Sequence, residues 1–372
     1  MRRLGLYIHI PFCKSKCIYC DFYSLAHGET QMDAYCTALC AQLRKRAAEA
    51  AEYEVDTVYF GGGTPSYFGA ARLCRVLGEI RAQYSLTPDA EITFEANPDS
   101  ARNEDDLRTL RKAGFNRISL GMQSADDALL RTLGRIHTHA DTAAAVQAAR
   151  SAGFDNLSLD LIYGLPGQSM ERWESDLRAV IDLAPEHLSC YGLKVEEGTP
   201  LYRNRRAYTL PDDEAQADFY LAACDILTHA GYEQYEISNF ARGGRISRHN
   251  SRYWNLGEYL GFGPGAHSDF RGERFAIARD LAAYCAEEIL ESERYTPSED
   301  ERLREQVMLA LRTSRGLSLS ELNLPSGKAE TFLSRCRAEG LAAQTEGRWH
   351  LTPQGFLVSN AVILAVQEAL GL

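Results

Sequence analysis

Short apolar runs alternate with longer amphipathic stretches along the first half of the chain. The runs "LGLYIHI" (4–10), "VDTVYF" (55–60), "AEITFEA" (90–96), "NRISLGM" (116–122), "NLSLDLIYG" (156–164) and "HLSCYGLKV" (187–195) read as strands. Between them, 31–51, 69–83, 103–113, 125–152 and 170–183 carry helical periodicity. A strand–helix alternation of this kind predicts a parallel sheet with right-handed crossovers. Six such units point to a partial (β/α)6 relative of the eightfold barrel, with an open doubly wound sheet as the alternative.

The polar and glycine-rich residues gather just past the carboxyl ends of these strands. "CKSKCIYC" (13–20) follows the first and "GGGTPS" (61–66) the second. Glu95 with "NPDS" closes the third strand and Gln123 the fourth. Asp160 lies on the fifth, ahead of "GLPGQ", and Lys194 closes the sixth. Parallel α/β folds build their active sites at that end of the sheet.

Past residue 196 the pattern changes. A helix is expected over 212–230, followed by "YEISNFA" (235–241), the polar and aromatic "SRHNSRYW" (247–254) and the glycine-rich "GEYLGFGPGAHS" (257–268). From 297 three short helices, a turn with "EGRWHLT" and a last helix predict a winged-helix-like module. The expected division is 1–235 as the core barrel, 236–296 as an extension, and 297–372 as the C-terminal domain.

Composition narrows the chemistry. The 372 residues are 45% hydrophobic, an ordinary globular content. The formal net charge of −11 argues against nucleic acid or an anionic membrane as partner. No apolar run is long enough to span a bilayer; the longest is "NAVILAV" at 360–366. Strand pattern begins by Leu4, so no signal peptide is expected, and a reducing cytoplasm or an organelle matrix is the expected setting, with the cytoplasm as the reading adopted. Seven of the ten cysteines are scattered and read as buried free thiols. The other three, Cys13, Cys17 and Cys20, form C-x3-C-x2-C without a later pair that would complete a structural zinc site. A four-iron cluster that only carries electrons uses one thiolate per iron, so three thiolates leave one iron open to a small molecule.

This spacing after the first strand of a partial barrel resembles the radical S-adenosylmethionine (SAM) superfamily. The resemblance implies a 4Fe-4S cluster whose open iron binds SAM through its amino and carboxylate groups, and an electron that cleaves SAM to a 5′-deoxyadenosyl radical. "LYIHIPFCKSKCIYCDF", "YFGGGTPS", "FEANPDS", "RISLGMQS", "LGRIH", "DLIYGLPGQ" and "YEISNFA" resemble, more closely, the family of oxygen-independent coproporphyrinogen oxidases and their relatives. That family's pattern implies SAM contacts at Tyr7, Tyr19, Gly62, Gly63, Thr64, Glu95, Gln123, Arg135, Asp160 and Lys194. The glycines leave room for close backbone approach, and Glu95 supplies an acceptor for an ammonium or for ribose hydroxyls.

Two departures separate the chain from the oxidase branch. Phe22 stands where that branch has a further cysteine, and only three residues precede the first strand. Instead, "HNSRYW" resembles the H-N-x-x-Y-W pattern of the HemW-type heme chaperones. The resemblance implies heme as cargo, acceptor hemoproteins such as respiratory enzymes as partners, and flavodoxin or ferredoxin as electron donor. His249 is then the expected axial ligand, with Tyr253 and Trp254 stacking on the macrocycle and His267 as a second candidate. No residue is assigned a catalytic role, and coproporphyrinogen oxidation is expected to be absent. The alternative is a radical SAM enzyme that decarboxylates or methylates a porphyrin.

Overall fold

The computed structural model describes residues 1–372. Six strands, β1 (Arg2–Ile10), β2 (Tyr53–Gly62), β3 (Leu86–Ala96), β4 (Arg117–Gln123), β5 (Leu157–Tyr163) and β6 (His187–Gly192), lie side by side in chain order and all parallel. The helices between them are α1 (Met32–Arg46), α2 (Ala70–Gln83), α3 (Glu104–Ala113), α4 (Asp127–Thr132), α5 (His139–Ser151) and α6 (Met170–Asp182). This is the partial barrel that the alternating pattern implies.

The stretch 125–152, expected as one helix, is two. Gly134 takes a left-handed φ of 76° after α4, and a capping box of Thr138 with Asp141 starts α5 afresh. The break matters, because it turns Arg135 inward toward the cysteine loop.

Residues 236–296 extend the barrel's own sheet on both sides. Beyond α7 (Asp213–His229) come β7 (Glu233–Gln234) and β8 (Asn239–Ala241); β8 adds antiparallel to β6 and β7 antiparallel to β8. On the other side β9 (Tyr259–Phe262) pairs parallel to β1, and β10 (His267–Phe270), β11 (Glu273–Ile277) and β12 (Glu291–Tyr295) follow antiparallel. The sheet runs to twelve strands in the order β12-β11-β10-β9-β1-β2-β3-β4-β5-β6-β8-β7. The outer edge of β1 carries unpaired backbone groups that must find partners, and β9 supplies them.

The C-terminal part holds α9 (Glu299–Ala310), α10 (Gly327–Ala338), the hairpin β13 (Ala342–Thr345) with β14 (Arg348–Leu351), and α11 (Ser359–Leu370). Helices followed by a short hairpin match the winged-helix-like expectation. One continuous cluster of 78 buried residues includes Leu6 and Phe94 of the barrel together with Leu311 and Trp349, so this part shares the barrel's core.

Between β8 and β9 the chain drops beneath the barrel and forms α8 (Arg248–Trp254). Its first two N–H groups, at Arg248 and His249, donate to the carboxylate of buried Glu91 at 3.1 and 3.0 Å. A carboxylate at a helix N-terminus satisfies orphan donors and complements the dipole. Arg252, on the same helix, pairs with Asp56, and Gly5 leaves the room that its side chain needs.

Glu91→Ala removes an acceptor for two buried donors. Urea unfolding should show a loss of about 3 kcal/mol with an unchanged m value. A loss below about 0.5 kcal/mol would mean that Glu91 does not anchor α8.

Candidate cluster and cofactor site

Residues 61–64 form a rim against which the cysteine loop is held. The Gly63 N–H donates to the carbonyl of Ile10 at 2.8 Å and the Thr64 N–H to that of Phe12 at 2.7 Å. A Cβ at Gly63 would stand 2.7 Å from the Phe12 carbonyl oxygen, and one at Gly62, whose φ is 109°, would meet the His9 ring at 2.4 Å. The glycines therefore clamp the first strand's loop to the second strand's end. Their N–H groups are committed: that of Gly62 also donates, to Glu95 at 3.0 Å.

The clamped loop carries three free thiols that face one cavity of about 540 Å³. Thr64 donates to Cys13 Sγ at 3.4 Å and Arg135 to Cys17 Sγ at 3.5 Å. Burial pushes the Cys13 thiol up and that of Cys20 up to about 11. No three of the chain's Cys, His, Asp or Glu groups crowd together as ligands of one bare ion would. Thiols spread along one loop suit the separate corners of a four-iron cluster, and donors aimed at sulfur suit the charge that thiolates bring.

Around this cavity the strand ends supply the expected groups. Glu95 accepts from the Tyr59 hydroxyl at 2.8 Å, and burial raises its carboxyl from 4.5 to about 7. Gln123 faces the cavity from a left-handed backbone with φ of 66°, a conformation that costs energy outside glycine. Arg135 reaches Asn97 Oδ1 at 2.8 Å and the Gly121 carbonyl at 2.7 Å. Asp160 accepts from Ser119 at 3.1 Å, and burial pushes its carboxyl up against those hydrogen bonds. Tyr19 lines the wall beside the cysteines and Lys194 stands exposed at the rim.

Tyr7 lies elsewhere. It sits behind Tyr59, with ring centroids 6.3 Å apart, and its hydroxyl is 3.1 Å from His9 Nδ1. It supports the wall and does not face the cavity. His249 is likewise inside the fold: it is 1% exposed, with Nδ1 2.9 Å from Thr57 Oγ1 and Nε2 2.8 Å from the Tyr253 hydroxyl. Burial first, then nearby Arg252, pushes its pKa down to about 3. As held here, neither ring nitrogen is open to an iron, and Tyr253 packs edge-on to His249 at 5.2 Å in place of facing a ligand. Trp254 ends the same helix, half-buried.

Sequence reasoning missed Asn97 as a link between Thr64 at 3.2 Å and Arg135. It also missed the lumen below, where Arg117, Ser158, His187 and Ser189 join the cavity wall. The signal was a polar residue at every second position of "RISLG", "LSLDL" and "HLSCY".

Comparisons with known proteins meet this geometry. A Radical SAM superfamily model matches residues 7–180, and a HemN C-terminal domain model matches 298–358. A protein named heme chaperone HemW from Mycobacterium tuberculosis is 39% identical, covering 96% of this chain and 93% of its own. Its namesake from Escherichia coli is 38% identical over 97% of both chains. The chain belongs to the HemW family of heme chaperones, within the radical SAM superfamily. The solved coproporphyrinogen III oxidase HemN of Escherichia coli, described as a radical SAM enzyme, superposes with a TM-score of 0.84 at 25% identity, covering 98% of this chain and 90% of that one.

The superfamily implies a 4Fe-4S cluster and SAM, and the thiol loop with its sulfur-directed donors fits that cluster. When bound, the cluster supplies the electron for reductive SAM chemistry. Cys13, Cys17 and Cys20 would hold three corners of that cluster, and Glu95 and Gln123 line the space beside them where the cofactor would lie. Replacing the three cysteines together by Ala should abolish the brown chromophore and the SAM-sensitive paramagnetic signal of the anaerobically purified protein. A chromophore that survives would place the cluster elsewhere.

A pH dependence follows from Glu95. The folded chain binds this proton more tightly than the unfolded chain, so this carboxyl's contribution to stability falls as pH rises from 4.5 through about 7. A cationic ligand at Glu95 favours the ionised form. SAM affinity should thus rise about tenfold between pH 6 and 8, and Glu95→Gln should flatten the profile. An unchanged slope in Glu95→Gln, read by equilibrium dialysis, would remove Glu95 from the SAM contacts.

Proposed function

We propose that this protein binds heme and transfers it to acceptor hemoproteins, with the SAM-binding cluster retained beside the cargo. The observation that carries the reading is 38–39% identity to proteins named heme chaperones over almost their whole length. The likeness to the solved oxidase covers the same fold at 25% identity. Phe22 favours the carrier: it is 64% exposed at the cavity's mouth, with Tyr191 at 41% on the opposite wall. Apolar aromatic surface there suits the edge of a macrocycle. A one-electron donor of the flavodoxin or ferredoxin type serves the cluster. No helix is long and apolar enough to cross a membrane, and a cytoplasmic location is part of the reading. Tyr19, Gln123, Arg135, Asp160 and Lys194 make the SAM contacts with Glu95.

In the heme-loaded state His249 is the axial ligand, and reaching iron requires α8 to leave Glu91 and Thr57. His267 is the competing ligand, since its side chain is 57% exposed and 3.5 Å from Glu293. Heme addition should raise hydrogen exchange over 248–254, and His249→Ala should lose the Soret shift of bound heme while keeping the cluster spectrum. If His267→Ala loses that shift and exchange over 248–254 stays constant, His267 is the ligand.

Supplied with reductant, SAM and coproporphyrinogen III, the protein should form no protoporphyrinogen. Multiple turnovers, read by porphyrin fluorescence after oxidation, would make it an oxidase.

A further inference from the structure

The lumen below the strand ends is polar where parallel barrels are ordinarily filled by branched apolar side chains. On β4 the inward positions are Arg117, Ser119, Gly121 and Gln123, so the wall descends about 20 Å from the cofactor end to Arg117. Thr93 of β3 lies level with Arg117, and Ser158 of β5 level with His187 of β6.

Arg117 is 1% exposed, yet no carboxylate pairs with it. Its Nη1 donates to Asn156 Oδ1 at 2.8 Å and to the Arg245 carbonyl at 3.2 Å, while Nε and Nη2 have no protein acceptor. Asp160 feels this charge but is not bonded to it, and a buried guanidinium with open donors is costly unless an acceptor meets them. Its neighbour His187 cannot. Both ring nitrogens are used, by Ser158 at 2.8 Å and by the Tyr235 hydroxyl at 2.8 Å, and burial holds it neutral.

The facing donor comes from α8. Asn250 lines the same cavity, and its side-chain amide makes no hydrogen bond within the protein. Of the stretch "HNSRYW", Asn250 alone reaches the cavity wall. His249 and Tyr253 hold the helix from behind. The H-N pair thus has two structural duties, one inward to the fold and one toward the lumen.

We infer that the lumen floor is a subsite for a monoanionic carboxylate, gripped by the free edge of Arg117 and by the Asn250 amide. A planar carboxylate matches the guanidinium fork. A dianion fits less well, because Asp160 stands two inward positions above this level on the neighbouring strand and only one guanidinium answers it. The carboxylate is that of a free small acid or the acid arm of a longer ligand that enters from the cluster end. The subsite belongs to the heme-free arrangement with α8 in place, and it holds whether or not His249 later meets heme.

The test uses the full anaerobically purified chain without heme, at constant ionic strength. Calorimetric titration with sodium propionate should show one saturable equivalent, and propionate should raise the melting temperature above matched sodium chloride. Inorganic phosphate should bind at least about tenfold more weakly; phosphate binding as tightly or more tightly would overturn the carboxylate assignment. Arg117→Gln should weaken propionate by about tenfold or more, with Arg117→Lys between it and the parent. Asn250→Ala, at a half-buried helix position, keeps the test valid if Arg117→Gln fails to fold, and should weaken propionate severalfold. Absence of saturable binding in the parent, or equal binding in Asn250→Ala, overturns the subsite. Titration with octanoate beside propionate separates the sources: tighter binding of octanoate marks the acid arm of a longer ligand that extends up the lumen, and weaker binding marks a free small acid.

Discussion

The pairing of β1 with β2 continues past the strands' ends, and the site depends on that continuation. Ile10 and Phe12 give their carbonyls to the N–H groups of Gly63 and Thr64, so a loop that would otherwise be free is fixed to a sheet edge. Three consecutive residues without Cβ make the approach possible, since a side chain at 62 or 63 would collide with the His9 ring or the backbone of the loop. Thr64, held by the same contact, turns its hydroxyl onto Cys13. The cysteines are thereby preorganised on a rigid element before any cluster is bound.

A second constraint acts from below. The barrel is open at its amino end, and α8 closes it by docking its N-terminus on Glu91. That helix is seven residues long and has little stability of its own. Its place is set by the Glu91 carboxylate, the Arg252–Asp56 pair and the His249 bond to Thr57. Such an element can be firmly seated and still separable as a unit, which is what a helix would need if it both floors the lumen and later exposes a ligand.

The lumen between these two constraints carries several ionisable groups with few counter-charges. Glu95 and Asp160 are both pushed toward their neutral forms by burial, with Arg117 acting on Asp160 in the opposite sense, and Arg117 itself is bonded to no carboxylate. Cofactor binding at the upper end and anion binding at the lower end would each supply charge that the protein withholds. Perturbed groups that face one cavity are a sign of ligand sites, and here the two ends ask for opposite signs.

By itself the sequence determined the repeating strand–helix order, the place of the polar residues at the strands' carboxyl ends, and the three-cysteine loop, because period and spacing are local properties of the chain. Tertiary structure alone decided what lies behind what. Tyr7 and Tyr59 have the same inward register on adjacent strands, yet only Tyr59 reaches the cavity. His249 and Asn250 are neighbours in one motif, yet a helical step of about 100° turns one into the fold and the other into the lumen. The glycines at 61–63 were legible as a place of close approach, but the chain that approaches is the protein's own. Which partner fills a close contact depends on residues far apart in sequence, and no local pattern carries that information.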